Sequence, residues 1–428
     1  MSRPVIGFAG MTHLGLSSAA ATAERGFTVI GFDLESERIE SLKCRALPVV
    51  EPDLPELLER NQARLTFTDR IDDLAGCDVV YVSPDVPTDD QGQSDLAGIR
   101  ALIGRVDAAL RPETVLVVLS QVPPGFTRSL SRQAERRFYQ VETLIFGQAI
   151  ERALHPERFI VGCADPEAAL PKPLADFLGA FGCPILPMRY ESAELAKISI
   201  NMFLVASIST TNTLAELCER IRADWSEIVP ALKLDKRIGQ HAYLAPGLGI
   251  AGGNLERDLT TVCRLADARG ADAGVVRACI ANSRHRRDWA LTQIHERVVP
   301  RQSNPVLAVL GLAYKQDTRS TKNSPSLALL AALKPFAVRV FDPVVPARPE
   351  FHPRLVGAAS ALEACDGADA LTIMTPWDDF RRLAPRAIAE RLTGRTVIDP
   401  YAVLNAEDCR AVGLDYVTLG VASITGGV

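Results

Sequence analysis

The chain has 428 residues, 47% of them hydrophobic and 23% charged, with a formal net charge of −5. This length exceeds one ordinary core and implies two or three domains, and the mild negative charge supplies no basic patch for nucleic acid. No run of 18 apolar residues occurs, so no membrane span is expected; nine cysteines without a Cys-x-x-Cys pair and six scattered histidines fit a reduced, cytoplasmic protein without a metal site.

In chain order, residues 4–9 read as a buried strand. Gly10-Met11-Thr12-His13-Leu14-Gly15 follows, and then a small-residue helix over about 16–25. A second strand, 27–32, ends at Asp33, which lies 23 residues after Gly10. Such a strand–turn–helix–strand unit places a pyrophosphate at a helix N-terminus and an acid on the adenosine ribose. Gly10, Thr12, Leu14 and Gly15 are therefore candidate cofactor-binding positions, with Asp33 as the ribose acid. No arginine directly follows Asp33, which favours NAD over NADP. The fingerprint is incomplete, because Thr12 stands where G-x-G-x-x-G has its middle glycine. His13 can reach a phosphate or a substrate, although a lone loop histidine is more often incidental.

Strands are expected again at 79–83 and 114–120. They lead into Asp85-Val86-Pro87-Thr88 and Gln121-Val122-Pro123-Pro124-Gly125, at the strand ends where ligands bind in an open α/β sheet. Pro87 and Gln121 join the cofactor candidates. Strands at 159–162 and 184–186 complete the first domain. From 191 to about 222 the pattern is helical, and Lys197 and Asn201, four residues apart, share one face. Further helices run to about 299. Among them lies Pro246-Gly247-Leu248-Gly249-Ile250-Ala251-Gly252-Gly253-Asn254-Leu255-Glu256-Arg257-Asp258, a glycine-dense loop that lets backbone approach a ligand, followed by a helix-like run over 259–269. Val306–Leu310 opens a second alternating region, with strands at 338–342, 370–374 and 397–399 and a helix start at Ser324-Pro325-Ser326.

The expected fold is α/β: two Rossmann-like, doubly wound parallel-sheet domains joined by a central helical region with a long helix. The boundaries are an NAD-binding domain over 1–190, a central helical region over 191–300 and a C-terminal α/β domain over 301–428.

The glycine loop resembles the active-site loop of the UDP-glucose/GDP-mannose dehydrogenase family, P-G-x-G-x-G-G-S-C-F-P-K-D, without a gap. Four more segments resemble that family's signatures: Glu51-Pro52-Asp53-Leu54, Asp235-Lys236-Arg237-Ile238-Gly239, Gly311-Leu312-Ala313-Tyr314-Lys315 and Thr375-Pro376-Trp377-Asp378-Asp379-Phe380-Arg381. The resemblance implies NAD as cofactor, a nucleotide sugar (UDP-sugar-like) as substrate, a C-terminal domain that holds its nucleotide, and a homodimer through the central helices.

Residue by residue, it implies Lys197 and Asn201 at the developing oxyanion and Asp258 as an aid to proton transfer. It sets Asn254 where the family has its nucleophilic cysteine. The family's threonine in S-T-V-P-P-G falls at Gln121, its glutamate in F-L-x-E-G at Phe146, and the lysine before the loop's aspartate at Arg257. A late arginine falls at Tyr401, and another, expected at the cofactor, at Lys322. Arg237, Gly249, Gly252 and Lys315 are expected at the substrate. Family members oxidise a primary alcohol twice through a cysteine thioester, a route closed to an asparagine amide. The expected function is NAD-dependent hydride transfer on a nucleotide sugar without that intermediate. A redox-neutral epimerase that retains NAD and a non-catalytic nucleotide-sugar-binding protein are the alternatives.

Overall fold

The computed structural model describes residues 3–49, 51–87 and 94–422. The chain divides into two compact units, Met1–Ile200 and Asn201–Val428. The division falls inside one long helix, Tyr190–Ile221.

The first unit is built on eight strands: β1 Ile6–Ala9, β2 Val29–Phe32, β3 Leu65–Thr68, β4 Val79–Val82, β5 Val115–Val118, β6 Arg137–Gln140, β7 Phe159–Cys163 and β8 Ile185–Arg189. Their order is β3-β2-β1-β4-β5-β6-β7-β8. Sequence reversal about β1 and β4 creates the crevice that takes a dinucleotide in doubly wound sheets. All pairs are parallel except β6 with β7, which run antiparallel. β1, β4 and β5 are buried on both faces, and their sequences IGFA, VVYV and VLVV are correspondingly apolar throughout.

The second unit begins with the rest of the long helix and the helices Trp225–Leu234, Asn254–Arg269, Gly274–Arg287 and Trp289–Arg297. It then forms a parallel six-stranded sheet from β9 Val306–Leu310, β10 Ala337–Phe341, β11 Leu355–Gly357, β12 Ala370–Ile373, β13 Thr396–Ile398 and β14 Asp415–Val417. The order is β11-β10-β9-β12-β13-β14, again a doubly wound arrangement. Ser324 caps the helix Pro325–Ala332 by accepting from Ser326 N, with proline at the first helical position. The α/β class with two parallel-sheet units and a long helix is as expected from sequence.

Four strands escaped the sequence reading. β3 (LTFT) and β11 (LVG) are mostly half-buried or exposed, and β14 has three residues. β6 (RFYQ) is fully buried although its ends are polar. Gln140 accepts from Tyr81 Oη at 2.8 Å, and Arg137 donates to the carbonyls of Leu130 and Arg132. A strand whose buried polar ends are held by such hydrogen bonds reads as surface in sequence.

A second difference concerns the glycine loop. The helix expected from 259 starts at Asn254, with Gly253 as its cap. Glycine carries no capping side chain, so the start had no sequence signal. Among the described residues the long helix is the one long and apolar enough to cross a membrane by length and composition. It also buries Asn201, Ser209, Thr211 and Asn212.

Candidate active site

In the first unit, the turn after β1 is shaped by two glycines. Gly10 has φ +101°, and a Cβ there would stand 2.7 Å from Pro84 N. At Gly15 a Cβ would lie 1.9 Å from Gly10 O, so the first helix, His13–Glu24, can approach β1 only without a side chain. Thr12 is the N-cap residue, yet its Oγ1 accepts from Asp85 N at 3.0 Å and caps no helix amide. Leu14 is buried beneath the turn. This geometry fits a pyrophosphate, since a helix start without a side-chain cap presents its first amides.

Asp33 ends β2 and is 5% exposed. Its carboxylate accepts from Met11 N at 2.7 Å, Glu35 N at 2.9 Å and Arg38 Nη1 at 2.7 Å. The arginine absent directly after Asp33 is thus replaced by one five residues later. Pro87 is exposed after β4 and its carbonyl accepts from Asp95 N at 2.9 Å; Thr88 lies outside the described residues. Gln121 is half-buried after β5. The loop it opens is fastened to the long helix by Glu194, which is fully buried and accepts from Gly125 N at 2.5 Å and Thr127 N at 2.8 Å. Burial pushes the Glu194 carboxyl upward, with those amides opposing.

Lys197, one turn beyond Glu194, forms an ion pair with Glu142 Oε1 at 2.8 Å, and their side chains are 12% and 16% exposed. Glu142 follows β6, which was not recognised as a strand, and so the sequence reading missed it. Phe146, four residues further on, stacks on His13 with centroids 4.1 Å apart.

In the second unit, Asn201 donates from Nδ2 to Asp258 Oδ2 at 2.5 Å, and both are buried. Arg257 Nε lies 3.5 Å from Asp258 Oδ1. Asn254 and Asp258 are four apart in one helix and share a face. The glycine loop leading to Asn254 is pinned along its length. Gly247 N donates to Asn212 Oδ1 at 2.9 Å, Ile250 N to Ser283 Oγ at 2.7 Å, and Gly252 N to Lys322 O at 3.2 Å. Gly249 and Gly252 have φ of +77° and +80°, and a Cβ would stand 2.4 Å from Ser283 O and 2.9 Å from the Tyr314 ring respectively. Both positions need glycine twice over, for conformation and for space.

Lys315 is half-buried with its Nζ 6.0 Å above the Tyr314 ring. Lys322 is half-buried beside Glu256, whose carboxyl is pushed up by burial while Asn323, Arg284, Arg287 and Lys322 oppose the shift. Arg237 stands apart from this group: its side chain is 89% exposed and bonds back to Asp235 at 2.6 Å. Tyr401 closes over the loop, 3.8 Å from where a Gly247 Cβ would be. Among the described residues, no cluster of three His, Cys, Asp or Glu side chains is placed to hold a metal ion.

Comparison with known proteins matches this arrangement in three consecutive parts. Residues 5–175 match the NAD binding domain of the UDP-glucose/GDP-mannose dehydrogenase family, 191–284 its central domain and 308–406 its UDP binding domain. The chain is 32% identical over 402 residues to a UDP-glucose 6-dehydrogenase of Pseudomonas aeruginosa, covering 87% of this chain and 88% of that protein. To UDP-glucose 6-dehydrogenase TuaD of Bacillus subtilis it is 28% identical over 436 residues, covering 97% and 93%. The structure of a UDP-glucose dehydrogenase from the archaeon Pyrobaculum islandicum is similar with a TM-score of 0.84 at 26% identity, covering 97% of each chain. With a relative this similar along most of its length and an NAD binding domain of the matching kind, the chain belongs to the UDP-glucose/GDP-mannose dehydrogenase family.

Proposed function

We propose that the chain is an NAD-dependent oxidoreductase that removes a hydride from the sugar of a UDP-sugar-like substrate without forming a cysteine thioester. The observation that carries this is Asn254, the first residue of its helix directly behind Gly252 and Gly253, where the resemblance sets the family's thiol. An amide is no nucleophile toward an aldehyde. The helix does hold a cysteine, Cys263, but nine residues later is about two and a half turns, which puts it on the opposite face.

Bound NAD would supply the hydride acceptor. Gly10, Thr12, Leu14, Gly15 and Asp33 would hold it, with Pro87, Gln121 and Lys322 as further contacts. Lys197, paired with Glu142, stabilises the oxyanion that develops as the alcohol becomes a carbonyl. Asn201 joins Lys197 at the oxyanion and Asp258, which accepts from Asn201, assists proton transfer, with Asn254 on the same helix face as Asp258. Arg237, Gly249, Gly252 and Lys315 serve the nucleotide sugar. The working division is 1–190 for cofactor, 191–300 for the helical region and 301–428 for nucleotide.

Incubating the protein with NAD and a panel of UDP-, GDP- and CDP-sugars tests this, following NADH and analysing the sugar. Net NADH is the expected result, and one or two equivalents per sugar count the oxidation steps. A changed sugar without NADH, or binding without turnover, would overturn the proposal in favour of epimerisation or a silent binding role.

Two further outcomes are expected. Of the nine cysteines, Cys44 is exposed, Cys183 and Cys263 are half-buried and the rest are buried. Alkylation with N-ethylmaleimide should leave activity within about twofold, as the reacting groups contain no thiolate. Substrate-protected inactivation mapping to one cysteine would sink the thiol-free route.

The long helix exposes Phe203 (80%), Leu214 (40%), Leu217 (50%) and Ile221 (61%), spacings that fall on one face. A homodimer would cover that stripe. Phe203→Glu should shift the mass measured by light scattering from dimer to monomer; an unchanged dimer would place the contact elsewhere.

A further inference from the structure

His13 is the one polar side chain of the phosphate-binding turn to which the oxidation described above gives no part. It opens the first helix and is 6% exposed. Its Nε2 lies 2.8 Å from Glu51 Oε2, and its ring stacks on Phe146 at an interplanar angle of 24°. Glu51 is itself 5% exposed and accepts from Gly147 N at 3.0 Å and Ala149 N at 2.7 Å. A buried carboxylate that already accepts two backbone amides, one on each oxygen, faces the ring as an acceptor, so Nε2 carries the hydrogen toward it. The neutral ring then keeps its unshared pair on Nδ1. A carboxylate that fixes one tautomer and leaves the other nitrogen basic is the arrangement of acid–base histidines in other enzymes.

Position supports the same role. Phe146 belongs to the segment after β6, on the half of the sheet beyond β4, whereas the ribose acid Asp33 ends β2 on the other half. The two halves of such a sheet serve the two nucleotides of NAD. The ring itself lies between the halves, stacked on Phe146 and bonded through Nε2 to Glu51 of the segment between β2 and β3.

We propose that His13 is the proton acceptor of the hydride-transfer step and Glu51 its positioning residue, an inference that rests on the oxidoreductase reading. The hydroxyl O–H bond breaks as its proton passes to His13 Nδ1, the C–H bond breaks as its hydride passes to NAD, and a carbonyl forms. The resulting imidazolium, held by Glu51, returns its proton to solvent on product release.

Among the described residues, the charged groups on the surrounding elements include Glu51, in contact; Asp53 beyond it; Asp85, whose amide donates to Thr12; the Glu142–Lys197 pair; and Glu151 and Arg152 on the helix Ala149–Leu154. Glu51 is the one bonded to the ring, so its carboxylate sets the tautomer.

The test pairs a spectroscopic with a kinetic measurement on the full chain. Nitrogen-15 spectra of the histidine rings, without added cofactor and with His13→Asn to identify the signal, should show the Nε2–H tautomer with Nδ1 titrating. His13→Gln should lower kcat by about 100-fold, the lower range for a general base, and abolish the acidic limb of the kcat–pH profile, with NAD affinity kept within about threefold. Glu51→Gln should move that limb; if it fails to fold, His13→Gln decides alone. An Nδ1–H tautomer, or His13→Gln keeping kcat within about twofold with its acidic limb in place, would overturn the assignment. If the wild-type chain forms no NADH with any nucleotide sugar, the oxidoreductase reading fails and this one with it. NADH formation with the base assignment rejected leaves that reading standing.

Discussion

Lys197→Ala is expected to lower kcat for NADH formation by about 100- to 1,000-fold, the range seen when one preorganised oxyanion donor is removed. Affinity for NAD and for the nucleotide sugar should stay within a few-fold, because a group that acts on charge developing in the transition state contributes little to ground-state binding. The ion pair with Glu142 at 2.8 Å, both partners mostly buried, makes this variant ambiguous on its own. Removing the ammonium leaves a carboxylate with no counter-charge, which is costly to bury. Glu142→Gln separates the two effects, since it keeps the shape and a hydrogen-bond acceptor while discharging the carboxylate. If Lys197 acts on the oxyanion and Glu142 through Lys197, the double variant should be no slower than Lys197→Ala alone. Wild-type kcat in a folded Lys197→Ala protein would reject the role.

The site was legible in sequence to the extent that chemistry follows local spacing. Gly10, Gly15 and Asp33 belong to one strand–turn–helix–strand unit, and the Cβ clearances at both glycines show why no other residue stands there. Lys197 and Asn201 needed only helical periodicity. Glu142 and Glu194 were not legible, because their partners lie 55 residues away for Lys197 and 67 to 69 for the amides of Thr127 and Gly125. Nothing in a single sequence announces such pairings.

Asn254 was placed in a loop because glycines precede it, and the helix there starts without a capping side chain. Asn254 heads that helix and the Lys315 ammonium lies over a tyrosine ring. Arg237 by contrast points into solvent.

Asp33→Asn is expected to weaken NAD binding by roughly 10- to 100-fold, the loss of charge-assisted hydrogen bonds to a ribose diol at about 1.5–3 kcal/mol. The wild-type carboxylate is already committed to Met11 N, Glu35 N and Arg38 Nη1. Those bonds fix its orientation before any cofactor arrives, so a ribose bound there would meet a preorganised acceptor. Asparagine keeps the shape and one acceptor oxygen but drops the charge, and it frees Arg38 from half of its acidic environment, with Glu35 remaining at 2.8 Å. A freed guanidinium beside the ribose is the group that accommodates a 2′-phosphate. The NAD preference should therefore narrow from both sides, with NADP binding improving as NAD binding falls. Adding Arg38→Ala should remove the NADP gain and leave the NAD loss in place. Titrating each cofactor by isothermal calorimetry gives both constants. An Asp33→Asn protein with unchanged NAD affinity would show that the adenosine ribose is held by some other residue.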